Sequence, residues 1–328
     1  MTTTRYLSVV AILCGSLGCA PVAAAPIMTG RQIIDINGAP MVVFTYRPPG
    51  CSDPSLLMVF HGVARNARTY RDDARAIADR LCLLVVAPVF DKRAFPAWRY
   101  QRGGIVKDAV VQDARDWTGR LVLDLVAWAR AQEGRPLAYS LLGHSAGAQF
   151  LDRLAAFVPT EARRIVIANA GSYVFPSPEI DAPFGLGKVY SGTEGEAALR
   201  RYLEQPLTIY LGQGDTRDDE RNDYPEALAQ GASRYQRGVN VFNAAKTLAQ
   251  TRGWKFNWRL VELPGVGHSA QDVLRAAGVR GAVALIRRWR GVCAARTAKA
   301  RPNQAGGGGP SYSRTRNLRT VSSSTSSA

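Results

Sequence analysis

Histidine is scarce in this sequence: His61, His144 and His268 are the only three. No cluster of His, Cys, Asp and Glu has metal-ligand spacing, and no glycine-rich loop is placed to cradle a phosphate, so neither metal nor cofactor is implied. No internal repeat is visible, which excludes a repeat architecture. The apolar run over residues 6–17 is too short for a bilayer core of about 30 Å. Acidic residues are missing after position 286, where Arg287, Arg288, Arg290, Arg296, Lys299, Arg301, Arg314, Arg316 and Arg319 supply nine positive charges. More than half of the net charge of +16 therefore belongs to the C-terminal end. That end lacks aromatic interleaving and any nucleic-acid module, so specific nucleic-acid readout is not expected; weak contact with anionic surfaces such as lipid headgroups is.

The 328 residues, 46% of them hydrophobic, suffice for one large core and two atypical ends. Residues 1–25 carry Arg5, the short apolar run and Val22-Ala23-Ala24-Ala25, the pattern of a cleaved secretory signal. A lipoprotein is the competing reading, since Ser16-Leu17-Gly18-Cys19 approaches a lipobox with its leucine one position out of place. The expected location is secreted or periplasmic. Residues 291–328 are poor in large apolar side chains and rich in Gly, Ser, Thr and Arg, so they are expected to remain a disordered basic tail. The folded domain is placed at 26–290. Five cysteines are present, of which Cys51, Cys82 and Cys293 would remain after signal removal. Cys51 precedes the apolar run "SLLMVF" and Cys82 opens "LCLLVVAPVF". If those strands pair in parallel the two cysteines are neighbours, and an oxidising compartment predicts a disulfide; three buried thiols are the other reading.

Between the ends, strand and helix signals alternate. Asn37-Gly38 joins two strands as a hairpin. Helices are expected over residues 67–80, 118–132, 239–253 and from about 269 to 290, with strands over 55–62, 81–90, 137–142, 163–171, 207–214 and 255–265. Residues 172–195 read as irregular, and 215–238 as a charged loop. Apolar strands alternating with amphipathic helices specify an α/β fold, a mostly parallel sheet with helices on both faces. Within this frame "GHSAG", Gly143 to Gly147, follows an apolar strand and opens a helix. Such a turn strains the serine backbone and leaves room only for small neighbours, which the glycines on either side of Ser145 supply.

Over residues 31–290 the chain resembles the α/β-hydrolase superfamily in its initial hairpin, its strand-helix units and its serine after the fifth strand. His61-Gly62 after a strand, Ser145 in the elbow, an aspartate after "LTIYLGQG" and the late "PGVGHS" look like secreted esterases of the polyhydroxybutyrate-depolymerase-like and feruloyl-esterase-like kind. The resemblance implies an ester substrate and an acyl-enzyme mechanism. Ser145 is then the nucleophile and needs a base. His61 precedes the glycine of the oxyanion loop and His144 should point away from the hydroxyl, which leaves His268. Asp215, the first carboxylate after "LTIYLGQG", would orient the imidazole, with Asp218, Asp219 and Asp223 as rivals. The family pattern gives the oxyanion donors as the N–H groups of Ala146 and Val63; because "HGVARN" departs from HGGG, Ala64 competes with Val63.

Substrate contacts are expected from two loops. They carry Phe95, Trp98, Tyr173, Phe175 and Phe184, with Trp98 and Tyr173 singled out; packing against the domain is the alternative for each. Arg65, Arg93, Arg99 and Arg102 would bind a carboxylate or stay solvated. A peptidase of the same fold is the second reading, though no segment has the length of the extra domain such peptidases commonly carry. A non-catalytic envelope- or nucleic-acid-binding protein is the third, and it predicts the loss of a triad residue, whereas all are present. Neither the oligomeric state nor the particular ester is legible.

Overall fold

In the computed structural model, which describes residues 25–217, 224–276 and 278–283, the first strand pair turns where Asn37 and Gly38 both take positive φ, 56° and 79°. That conformation matches the twist of the flanking strands. The Gly38 N–H donates to Asp35 Oδ1 at 2.9 Å, and the Asn37 amide reaches Asp124 Oδ2 at 2.8 Å. The hairpin, β1 (Gly30–Ile36) and β2 (Ala39–Tyr46), feeds a series of strands: β3 (Ser55–Phe60), β4 (Leu83–Pro88), β5 (Tyr139–His144), β6 (Ile165–Ala168), β7 (Leu207–Gly212) and β8 (Arg259–Leu263). They form one sheet in the order β1-β2-β4-β3-β5-β6-β7-β8. β2 is antiparallel to β1 and β4, and every other pairing is parallel. A short antiparallel ribbon, Val106–Lys107 with Val110–Val111, stands apart from it.

Strands β4 to β7 are buried along their whole length, because helices cover both faces. The two-residue alternation of β3 divides the core. Leu56, Met58 and Phe60 pack with α3 (Arg120–Glu133), α4 (Ala146–Phe157), α5 (Gly192–Leu203) and α7 (Arg234–Arg252). Leu57 and Val59 pack with α1 (Ala67–Asp73), α2 (Arg75–Leu81), α8 (Ala270–Arg275) and α9 (Gly278–Val283). A one-turn helix, α6 (Pro225–Leu228), precedes α7. Among the described residues no helix is long and apolar enough to cross a membrane.

Several boundaries differ from the sequence reading. The helix expected over 67–80 is two, broken at Ala74. Helix α5 was not expected: Gly192 and Gly195 mask its first turn, although Ala198, Leu199, Tyr202 and Leu203 make a buried stripe. Helix α7 begins five residues before the expected 239, with the Ser233 hydroxyl accepting from the Gln236 N–H. The late strand shrinks to β8. The leader and tail assignments, Cys293, and the rival acids Asp218, Asp219 and Asp223 lie outside the described residues.

Cys51 and Cys82 form a disulfide, with Cα atoms 5.6 Å apart. Cys82 caps α2 in the left-handed conformation, one residue before β4, rather than opening the strand. The parallel β3–β4 register nonetheless brings the cysteines together, as Ser55 lies opposite Leu83. A cross-link spanning 31 residues restricts the unfolded chain and on the chain-entropy account contributes about 4 kcal/mol. Alkylation of the native protein without reductant should therefore leave Cys51 and Cys82 unmodified, and reduction should lower the melting temperature by several degrees. Both cysteines alkylating in the native protein would contradict this.

Candidate active site

Ser145 sits between β5 and α4 with φ 55° and ψ −114°, a conformation an L-residue adopts only under constraint. The constraint is the approach of two backbones. A Cβ on Gly147 would lie 2.3 Å from the Phe60 carbonyl oxygen, and one on Gly143 2.3 Å from the Gly147 carbonyl oxygen, so glycine alone fits at either position. The Ser145 N–H donates to Ala168 O at 3.0 Å, and its carbonyl accepts from Gln149 N–H at 3.0 Å. Strand on one side and helix on the other thus hold the serine.

His268 Nε2 is 3.2 Å from Ser145 Oγ, and its Nδ1 is 2.8 Å from Asp215 Oδ2. Asp215, nearly buried, also receives Arg234 Nη1 at 3.4 Å. The loops after β7 and β8 that carry these groups are cross-linked. Gly214 N–H donates to Val266 O at 2.8 Å, and a Cβ on Gly212 would meet that same oxygen at 2.4 Å. Asn169, buried at the end of β6 with φ 48°, joins both loops: its Oδ1 accepts from Gly212 N–H and its Nδ2 donates to Gly267 O, each at 2.9 Å. Sequence reading missed Asn169. Its one signal is a polar residue directly after an apolar strand, in "IANAG".

A serine hydrogen-bonded to an imidazole whose far nitrogen faces a buried carboxylate can lose its proton as it attacks a carbonyl. Ala146 opens α4, so its N–H is among the helix N-terminal donors without an intrahelical acceptor, and the helix dipole favours negative charge there. Val63 and Ala64 line a groove of about 570 Å³ beside Ser145. Asn66, Thr69, Asp72 and Gln271 give this groove a polar wall.

His61 and His144 are both buried and uncharged. Phe90 N–H donates to His61 Nε2 at 3.1 Å, so the His61 proton is on Nδ1, 3.0 Å from Gly62 O. Desolvation is the main cause that lowers its pKa to about 4, with the charge of Arg65 acting the same way. Arg65 itself donates to Phe90 O and Phe95 O at 2.7 and 2.9 Å and lies over the Tyr100 ring. Burial likewise lowers His144 to about 3.

The other predicted contacts are not brought to the groove. Tyr173 is fully buried in the core, so it presents no surface to a ligand. Trp98 lines a separate cleft of about 590 Å³ with Trp117, Arg99 and Arg120. Phe95 and Phe175 pack against the core and Phe184 is buried. Arg99 lies over Phe95 and Arg102 over Tyr224, 5.0 and 4.0 Å from the ring centres, while Arg93 is exposed. Among the described residues no group of three or more His, Cys, Asp and Glu side chains is placed to hold a metal ion.

No protein-family model and no curated protein matches the chain. Solved structures do. The poly(3-hydroxybutyrate) depolymerase LpqC of Bordetella parapertussis is 34% identical, with a TM-score of 0.71 over 79% of this chain and 92% of that one. Poly(aspartic acid) hydrolase-1 of Sphingomonas sp. KT-1 is 31% identical, with a TM-score of 0.70 over 76% and 96%. With its eight-stranded, mostly parallel sheet, the chain belongs to the α/β-hydrolase superfamily. It is an enzyme, a hydrolase.

The buried histidines make stability depend on pH. The folded pKa of His61, about 4, lies below the ordinary 6.5. The unfolded chain therefore takes up the proton first, and stability present above pH 6.5 is lost as pH falls toward 4, by about 3 kcal/mol for a displacement of this size. The urea midpoint should drop steadily between about pH 6.5 and 5, and His61→Gln, whose amide oxygen still accepts from Phe90 N–H, should flatten that slope. An identical slope in the variant would contradict the assignment.

Proposed function

We propose that the chain is a serine carboxylester hydrolase, with Ser145 as nucleophile, His268 as general base and then acid, and Asp215 as the group that orients the imidazole. The observation that carries this reading is the chain of short contacts from Ser145 Oγ through His268 to Asp215, with the serine in a strained elbow. Ser145 Oγ attacks the acyl carbon as its proton passes to His268 Nε2. The N–H groups of Ala146 and Val63 receive the oxyanion. Collapse of the tetrahedral intermediate expels the alcohol, protonated by His268, and leaves an acyl group on Ser145. Water, deprotonated by the same imidazole, then releases the acid.

For substrate, similarity to a poly(3-hydroxybutyrate) depolymerase supports a polyester or hydroxyacyl oligomer, and the polar wall of the groove suits a chain that repeats ester carbonyls. An acylated polymer fits the same chemistry. Similarity to a poly(aspartic acid) hydrolase favours an amide-linked polymer as the second reading, with His268 protonating an amine in place of an alcohol. The Cys51–Cys82 disulfide supports export to an oxidising compartment, where the basic tail would add weak adsorption to anionic surfaces.

Ser145→Ala should abolish both fluorophosphonate labelling and turnover of small nitrophenyl esters while leaving the circular dichroism spectrum unchanged. A folded variant that labels as fast as the wild type would overturn the assignment. A panel of polyester films and poly(aspartate) then distinguishes the two substrate readings.

A further inference from the structure

The histidine beside the nucleophile has no part in the chemistry above, yet it is placed against it. His144 ends β5, and its ring centre is 4.8 Å from that of His268, the planes tilted by 42°. Its Nδ1 is 2.9 Å from the hydroxyl of Tyr70, a residue of α1 that is 4% exposed. On the other side of that hydroxyl lies the loop that carries the oxyanion donor. A Cβ on Gly62 would stand 2.9 Å from the phenol oxygen and 3.7 Å from Ser145 Cβ, so the loop backbone packs closely against both. No side chain larger than hydrogen fits between the Tyr70 hydroxyl and the nucleophile.

The phenol and His144 Nδ1 share one short hydrogen bond, in which a neutral imidazole and a hydroxyl satisfy each other. His144 Nε2 is buried and makes no hydrogen bond of normal geometry. The ring stays neutral, its pKa lowered first by desolvation and then by the charge His268 acquires. A neutral ring can lie against His268 while that imidazole becomes positive; a charged one would oppose it.

We infer that Tyr70 and His144 form a buried relay joining the oxyanion loop at Gly62 to the catalytic imidazole of His268, and that both are positioning residues for the reaction. The inference rests on the proposed hydrolase reading. Core filling alone does not account for the pair. A buried hydroxyl and a buried imidazole each lose hydration, which an apolar pair of like volume would avoid, and here they recover it chiefly from one another. What the polar pair adds is one fixed unit packed at both ends: the Tyr70 hydroxyl against the Gly62 loop, and the His144 ring against that of His268. A shift of either should slow the chemical step without weakening substrate binding.

The test compares Tyr70→Phe, His144→Asn, His144→Leu and the Tyr70→Phe/His144→Leu double variant with the wild type. The readouts are kcat and KM on a nitrophenyl ester, the rate of fluorophosphonate labelling and the melting temperature. Tyr70→Phe should lower kcat and the labelling rate together by about tenfold with KM little changed. His144→Leu should fall by a similar factor, whereas His144→Asn, whose amide oxygen stands where Nδ1 stood, should recover most of the loss. The double variant should be no slower than His144→Leu alone, since both substitutions break one connection. Should Tyr70→Phe not fold, the contrast between the two His144 variants decides the matter. The relay is overturned if kcat and labelling in Tyr70→Phe stay within about twofold of the wild type, if the loss falls on KM, or if Asn recovers nothing over Leu. A wild-type protein that does not label at all overturns the hydrolase reading, and the relay with it.

Discussion

The approach of Gly147 to the carbonyl of Phe60 is the contact on which the site depends. It allows α4 to start directly over the end of β3, and it is closed to any residue with a side chain. With strand and helix brought that near, the single residue between β5 and α4 has to take a positive φ, which lifts Ser145 above the sheet. The same geometry aims the helix N-terminus at the serine and places the loop after β3, with Val63, across from it. Backbone strain at one position thereby brings the Ser145 hydroxyl, the first N–H of α4 and a groove wall together. A large buried core supplies the stability that keeps the strain in place.

Around the elbow the three histidines take three different environments. His268 is part-exposed on a loop and faces both the serine and a carboxylate. His61 is buried and serves as a rigid bracket, tying the loop after β3 to the end of β4 through Phe90 N–H. His144 is buried beside His268 and bonded to a tyrosine. Burial holds the latter two neutral, so of the three His268 alone is placed to exchange protons with the serine. Farther from the groove, the buried Asp152–Arg153 pair of α4 has a related mechanical use. Arg153 donates to Ser172 O and Pro183 O, while Asp152 accepts from Val174 N–H and Tyr202 O–H, and together they fasten the irregular segment after β6 to α4.

What the sequence made legible was local. Asn37-Gly38, the apolar strands, the glycines around Ser145 and the paired positions of Cys51 and Cys82 each carry their meaning within a few residues, or within one strand register. The convergence of Asp215 and His268 on Ser145 was legible through chain order, since the loops that hold them follow adjacent parallel strands. What escaped depends on contacts between distant segments. Asn169 links two loops by its side-chain amide, and Tyr70 meets His144 across 74 positions of sequence. Neither has a local pattern. Tyr173 shows the opposite failure: an aromatic residue after a strand reads equally as cleft or core, and here the core takes it. Trp98 is turned toward a second cleft, because the loop after β4 folds back toward the start of α3.

Ser145 should become covalently acylated during turnover. Rapid mixing of the wild-type enzyme with excess nitrophenyl ester, acid quenching and peptide mass analysis tests it directly. A burst of one nitrophenol per enzyme molecule is expected where deacylation is the slower step, with one acyl group carried on the peptide that contains Ser145. An acyl group found on another residue, or turnover by a protein whose Ser145 never carries one under conditions that slow deacylation, would contradict it.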